Sequence, residues 1–405
     1  MTNHTDCLAM LLAGGEGRRL SPLTKELAKP ALPFGERLRM IDFPLNNCFH
    51  SNIHTIGVLT QYCADSIHNY INENRACQRL EAESGRVTLL PSSRKSMNGY
   101  AGTADALYRN IDYIDQHTPE HVLILSGDHI YHMDYRPMLE FHKTNQASAT
   151  IAVKPVAWRE ASRFGILHTD KQHRIISFEE KPAKPQSNLA SMGIYLFKWA
   201  DLREYLLQDA DNPDSSHDFG KDIIPAILSS QANMVTYPFE GYWRDVGTID
   251  SLWEANMDLL DGELKLESNA RAIQNGTSDI VEKPYLSPYA SITDCILHPD
   301  SAIEADVERS VVCSGVTIGQ GSEIRESIIM PGARIGRNVT IHRAIIGEGA
   351  IIHDGAVIER LDDEIAVVGP GEAITLISSM TQRHKTEPLV NLNDLADKTT
   401  STLTL

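Results

Sequence analysis

The chain has 405 residues, 42% of them apolar and 22% charged, with a formal net charge of −17. That is the composition of a soluble globular protein of two or three domains, and it excludes a disordered or fibrous chain. The acidic balance excludes a nucleic-acid binder, whose affinity rests on Lys and Arg neutralising phosphates, and no window approaches the ~20 apolar residues of a membrane span.

Over the first 260 residues short apolar runs alternate with longer amphipathic ones. Strands are predicted over Leu8–Ala13, Ile56–Thr60, Val122–Ser126, Ala149–Val156, Ile175–Phe178, Met192–Phe197 and Val235–Phe239. Between the second and third, "GTADALYRNIDYI" puts Leu107, Ile111 and Ile114 on one helical face, with Thr103 as N-cap. The alternation predicts an α/β domain over 1–260, a mainly parallel, Rossmann-like sheet with helices on both faces. Two short runs around "TDKQH", within Gly165–Pro182, read as an antiparallel hairpin added to that sheet.

Residues 261–285 are polar and mixed, and read as a linker. After them the period changes: Val312, Ile318, Ile324, Met330, Ile335, Ile341, Ile346, Ile352 and Ile358 follow one another at steps of six or five. A helix cannot hold that period. A coil of short strands with one inward aliphatic per side can, and the glycines of "IGQGSEI", "IGRNVTI" and "IGEGAII" ease its corners. Residues 286–365 are therefore predicted to form a left-handed parallel β-helix, and 366–405 a polar, partly disordered tail. The six cysteines (Cys7, Cys48, Cys63, Cys77, Cys295, Cys313) contain no C-x-x-C pair and read as reduced thiols of a cytoplasmic protein.

The chemistry gathers at strand ends. "LLAGGEGRRL" ends an apolar strand in Gly14, Gly15 and Gly17, where backbone N–H groups can approach a phosphate and Arg18 and Arg19 add charge-assisted bonds. The spacing is not that of a Walker loop, and no well-placed acid follows to support a dinucleotide fingerprint. Taken alone the segment could be a structural turn. "VLILSGDHIY" puts the carboxylate of Asp128 on the same sheet edge, and "YWRDVGT" offers Asp245 just before a helix capped by Thr248. Two carboxylates beside a phosphate loop suit Mg²⁺, which takes one or two carboxylates plus substrate oxygens. Glu180 and Lys181 of "FEEKP", and Lys29 of "AKPA", are ordinary surface charges in isolation and gain weight from this convergence.

The motifs "LLAGGEGRRLSPLT", "AKPA", "RMIDFPLNNC", "GTADAL", "LILSGDHIY", "EASRFGI", "EEKP", "LASMGIY", "SSHDFGKDIIP" and "YWRDVGT" together resemble bacterial ADP-glucose pyrophosphorylase (glucose-1-phosphate adenylyltransferase) over about residues 6–365. The resemblance implies adenylyl transfer from ATP to α-D-glucose 1-phosphate, giving ADP-glucose and pyrophosphate for glycogen (α-glucan) synthesis. It implies that Gly14, Gly15 and Gly17 wrap the ATP phosphates, that Arg19 and Lys29 hold the leaving pyrophosphate, and that Gly102 and Thr103 face the nucleotide. By the same resemblance Tyr100, Gly165, Glu180, Lys181 and Ser191 bind glucose 1-phosphate, and Asp128 and Asp245 carry Mg²⁺. Asp218 and Lys221 lie in a shared motif without a role of their own. The implied assembly is a homotetramer, with room for a related second subunit.

The rival readings are a noncatalytic regulatory subunit, a pyrophosphorylase for another NTP or sugar phosphate, and acyl transfer by the β-helix through His298, His342 or His353. A regulatory subunit would be expected to lose the cationic and metal-binding residues, all of which are present. Glu26, Leu27 and Pro33 stand where activator-responsive relatives carry basic residues, and Gly99 where many carry an aromatic. The activator response is therefore not carried over.

Overall fold

The computed structural model describes residues 6–73, 86–94, 99–266, 283–360, 362 and 364–375. In chain order the strands of the first region are β1 (Cys7–Ala13), β2 (Pro33–Phe34), β3 (Leu38–Arg39), β4 (Thr55–Thr60), β5 (Arg86–Pro91), β6 (His121–Ser126) and β7 (His129–Tyr131). They continue with β8 (Ala149–Pro155), β9 (Gly165–Thr169), β10 (Ile175–Glu180), β11 (Leu189–Lys198), β12 (Met234–Pro238) and β13 (Trp243–Asp245).

Nine of these strands form one sheet in the order β10-β9-β11-β6-β1-β4-β5, with β8 and then β12 attached through β11. The half made of β5, β4, β1 and β6 is parallel. β1 lies at its centre, and its unbroken apolar run follows from burial on both faces. β11 turns antiparallel to β6 and β8, and β9 with β10 is the expected hairpin. β5 was not expected. Its "RVTLLP" run is short and half-exposed, as befits an edge strand.

The helix expected over "GTADALYRNIDYI" is two helices, Thr103–Tyr108 and Ile111–His117. At the break, the Asn110 side chain donates to Ala106 O and to the Tyr100 hydroxyl. The N-cap is Gly102, not Thr103, because the Thr103 hydroxyl is engaged elsewhere. The cap at Thr248 is a reciprocal one: its Oγ1 accepts from Ser251 N, and Ser251 Oγ accepts from Thr248 N.

From Tyr285 to Ile374 the chain winds into three parallel sheets, the sides of a β-helix. Val312 pairs with Ile329 and Ile329 with Ile346, so one turn takes 17 residues. Two sides step by six and one by five, which explains the mixed period and moves one inward position from Met330 to Ile329. Met330 is buried all the same, in the cluster facing the sheet region. The coil runs on past residue 365 through Ala366–Val368 and Ala373–Ile374. Most of the expected linker (267–282) and tail (376–405) lies outside the described residues.

The two regions share a core. Leu20, Leu23, Phe34 and Phe43 pack in one cluster with Ile328, Met330, Ile345 and Ile365. Polar contacts cross the same junction. Trp253 Nε1 donates to Glu326 O at 2.7 Å, and Arg343 stacks on the Trp253 ring at 4.3 Å. Arg309 grips Asp261 with both terminal nitrogens at 2.7 and 2.8 Å.

Candidate active site

β1, β4 and β6 run parallel, so their carboxyl ends and the turns that follow lie along one sheet edge. After β1 the glycines keep the backbone open. Gly14 lies against Gln61, where a Cβ would come within 3.2 Å of the Gln61 Cβ. Gly17 has a φ of +66°, and a side chain there would meet Thr24 and Lys29 at 3.0 and 3.1 Å. Thr24 Oγ1 donates to Gly17 O at 2.9 Å and holds the turn closed. Arg18 is exposed and paired with Glu16 at 2.6 Å. Arg19 lies with its guanidinium against Gly247, beside Asp245, and has no ion-pair partner among the described residues.

Lys29 is the buried cation of this edge, 7% exposed. Its Nζ donates to Asp128 Oδ2 at 2.5 Å and stands 3.5 Å from Asp245 Oδ1. Asp128 follows β6, and Asp245 ends β13, which pairs antiparallel with β7 so that Asp245 stands opposite His129. Burial alone would push the Lys29 ammonium down, but Asp128 and Asp245 outweigh it and raise it above the ordinary lysine range. Burial would likewise raise the Asp128 carboxyl; Lys29, His129 and the Ser126 hydroxyl hold it well below the usual carboxylate range. Lys29 and Asp128 therefore stay charged through neutral pH.

His129 sits between the carboxylates, with Nε2 3.7 Å from Asp128 Oδ1 and 3.7 Å from Asp245 Oδ1. Its Nδ1 is 3.0 Å from Met192 O. A carbonyl only accepts, so Nδ1 carries the proton and donates to it. Next along β11, Gly193 (φ +66°) makes room for this ring, which a Cβ would approach to 3.3 Å.

A second group lies beyond His129. The Glu180 carboxylate is cradled by two glycines: a Cβ on Gly220 or Gly165 would lie 2.6 or 3.0 Å from its Oε2. Lys181 Nζ donates to Glu180 Oε1 at 2.7 Å, and its backbone is held at φ +48°, an unfavourable region for lysine that fixes where the side chain starts. Ser191 is buried where the β11–β8 register is interrupted; its Oγ donates to Tyr195 Oη at 3.4 Å and accepts from Gly193 N at 3.2 Å. Burial pushes the Tyr195 phenol up, so it remains a neutral hydroxyl.

Residues 8–262 match the family model described as nucleotidyl transferase, and residues 280–365 match the GlmU-like C-terminal hexapeptide model. The chain is 50% identical over 377 residues to proteins named glucose-1-phosphate adenylyltransferase from Bacillus anthracis and Bacillus thuringiensis subsp. konkukian, covering 92% of this chain and 100% of theirs. The chain belongs to the glucose-1-phosphate adenylyltransferase family.

Seen within the adenylyltransferase family, the residues expected from sequence fall into three sets. Arg19, Lys29, Asp128 and Asp245 come together at the glycine loop. Gly165, Glu180, Lys181 and Ser191 form the second group. Gly102, Thr103 and Tyr100 make the third, and their polar atoms are engaged by the protein. Thr103 Oγ1 donates to Asp218 Oδ2 at 3.0 Å, the Tyr100 hydroxyl donates to Leu90 O at 3.0 Å, and a Cβ on Gly102 would strike the His217 carbonyl. Asp218 thereby gains a role. It caps the turn Phe219–Ile223 through Gly220 N and Lys221 N, and ties that turn to Thr103.

Sequence reasoning missed Gln61 and His129. Gln61 accepts from Tyr100 N at 3.0 Å and lies against Gly14 and Gly99, so it spans the glycine loop and the Gly99–Tyr100 segment. It follows β4 just as Asp128 follows β6, and the same strand-end rule would have found it. His129 was one residue from Asp128 and was passed over. In the β-helix, His342 and His353 point to solvent and His298 is bonded to Asp300.

Enzymes of the nucleotidyl transferase family use divalent metal ions. The donors here fit such an ion: hard carboxylate oxygens of Asp128 and Asp245 face one locus, 2.5 and 3.5 Å from the Lys29 ammonium.

Proposed function

We propose that this chain transfers the adenylyl group of ATP to α-D-glucose 1-phosphate, releasing pyrophosphate and making ADP-glucose for glycogen synthesis. The observation that carries the site assignment is the buried Lys29 between two strand-end carboxylates, with Arg19 beside an open glycine loop. In this reading Gly14, Gly15 and Gly17 follow the ATP phosphates with backbone N–H groups. Arg19 and Lys29 hold the two phosphates that leave. Glu180 and Ser191 hold sugar hydroxyls, Lys181 holds the sugar phosphate, and Gly102, Thr103 and Tyr100 shape the wall between nucleotide and sugar.

The nucleophile is a phosphate oxygen of glucose 1-phosphate, ionised at neutral pH, so no general base is needed. The chain aligns that oxygen in line with the α-phosphorus and the departing pyrophosphate, an effect able to supply ~7–11 kcal/mol of the barrier. Lys29 and Arg19 neutralise charge as it develops on the leaving group. Asp128 and Asp245 would hold Mg²⁺, which supplies Lewis-acid neutralisation of the phosphate oxygens. His129 keeps the two carboxylates apart and in register.

No helix among the described residues is long and apolar enough to cross a membrane. A homotetramer in the cytoplasm, with ATP as the preferred nucleotide, completes the proposal and rests on the family resemblance. The test is pyrophosphate release from purified chain with glucose 1-phosphate and each of the four NTPs, with and without EDTA. ATP is expected to be used best and EDTA to stop the reaction. Turnover that persists in EDTA would remove the metal from Asp128 and Asp245.

A further inference from the structure

At the opposite end of the sheet from the glycine loop, the chain enters β1 and β6 side by side. The register pairs Cys7 with His121, so the residues just before them, Asp6 and Glu120, are neighbours at that edge. Asp6, Glu120 and His121 each offer a ligand atom within 4.8 Å of the other two. Two exposed carboxylates alone would be an ordinary solvated pair. The histidine changes that. It is 4% exposed, and its Nδ1 is buried without a hydrogen-bond partner. Nδ1 faces Asp6 Oδ1 at 3.7 Å, and Nε2 lies 4.0 Å from Glu120 Oε1.

The surroundings suit a ligand. Lys143 Nζ donates to Asp6 Oδ2 at 2.8 Å, which leaves Oδ1 turned toward His121. Such an outer contact orients a ligating carboxylate. The same ammonium tempers the affinity for a dication. His142 packs edge-on against His121 at 5.1 Å, and its own Nδ1 is held by Thr150 Oγ1 at 2.7 Å.

We propose that Asp6, Glu120 and His121 bind one divalent transition-metal ion of the Zn²⁺ class, with water completing the coordination. One imidazole and two carboxylates favour Zn²⁺, Co²⁺ or Mn²⁺ over Mg²⁺, which separates this site chemically from the aspartates at the other sheet edge. A metal here staples the entries of β1 and β6, and so raises stability without entering the reaction.

The test uses the full chain in excess Mg²⁺, titrated with Zn²⁺ by calorimetry and with Co²⁺ by visible absorption. One equivalent of each is expected, with a Co²⁺ band stronger than that of the aqueous ion, a higher Tm and unchanged adenylyl transfer. Glu120→Gln and Asp6→Asn, both at exposed positions, should each weaken Zn²⁺ binding about 10- to 100-fold while the metal-free variants melt near wild type. Asp128→Asn should leave this binding unchanged. Absence of a Co²⁺ band, or Zn²⁺ affinity equal to wild type in both Glu120→Gln and Asp6→Asn, would overturn the proposal.

Discussion

The sheet region and the β-helix solve opposite problems with the same strand geometry. The β-helix stacks like on like: Val312, Ile329 and Ile346 lie above one another on one side, Ile318, Ile335 and Ile352 on another, and all are buried. Each residue there is interchangeable in kind with the one a turn away. The sheet region instead uses strand ends once each, and collects Lys29, Asp128, His129 and Asp245 into a cluster no repeat could produce. One region is built for cohesion. The other holds like charges together, which destabilises it locally unless every carboxylate has a partner.

That contrast makes the largest effect a prediction about Lys29. Lys29→Gln removes the cation shared by two carboxylates and the donor offered to the leaving group. The kcat/KM for ADP-glucose synthesis should fall about 10³-fold. The metal-free variant should also melt lower, because buried acids lose their counter-charge, and added Mg²⁺ should raise its Tm more than it raises that of wild type. A variant that loses activity but melts and responds to Mg²⁺ as wild type does would mean the carboxylates do not depend on Lys29.

The β-helix should behave in the reverse way. Ile346→Ala leaves a cavity in the stack and should cost about 2–5 kcal/mol of stability, with kcat of the folded enzyme unchanged. Measuring Tm and specific activity on the same sample separates the two regions. Removing residues 286–405 altogether cuts into the core of the sheet region as well. Leu20 and Leu23, which carry the arginine loop, share their core with Ile328, Met330 and Ile345. The truncated chain should therefore lose both the proposed tetrameric assembly and the geometry of that loop, read as a monomer's mass in solution and a weakened ATP interaction.

A narrower test concerns the second group in the sheet region. The Lys181 side chain is 65% exposed and its ammonium is paired with Glu180, so its removal should disturb little else. Lys181→Ala should raise KM for glucose 1-phosphate about 10- to 100-fold, with KM for ATP and kcat changed far less, as expected of a contact equal in ground and transition states. Equal changes in both KM values would move Lys181 out of the sugar-phosphate site.

The same contrast decides what was legible in the sequence. A period of six is written locally, so the β-helix could be read from "IGQGSEI" and its neighbours, and only the five-residue side misled, placing Met330 where Ile329 points inward. β1, β4 and β6 were legible because buried parallel strands are plainly apolar. Asp128 and Asp245 could be found as polar residues ending such strands or preceding a capped helix. Thr103 could not be read correctly, because the group that takes its hydroxyl, Asp218, lies 115 residues away. Gly220 and Gly165 around Glu180 are of the same kind: what they spare space for comes from another strand, and no spacing along the chain announces it. Tertiary convergence, not weak local signal, set the limit.

The smallest effect tests whether the junction between the regions is held by its apolar core or by its charges. Arg39 lies at that junction, with Nη1 3.3 Å from Glu348 Oε2 and Nη2 3.2 Å from Glu348 Oε1. It is held three ways, since Nη1 also donates to Ala31 O at 2.5 Å and the guanidinium sits 5.1 Å over the Tyr70 ring. Glu348→Gln therefore removes one partner of several and leaves no orphaned cation. The ion pair is partly open to solvent, with side-chain exposures of 19% and 32%, and salt screens such pairs over about 10 Å at 0.1 M. A loss of about 1 kcal/mol or less is expected, visible as a small drop in Tm at low salt that fades as salt is raised. Activity should not change. If Glu348→Gln instead destabilised the chain as much as Ile346→Ala, at high salt as at low, the junction would be held by its charges, and the division of labour between a cohesive β-helix and a charge-bearing sheet edge would have to be redrawn at Arg39.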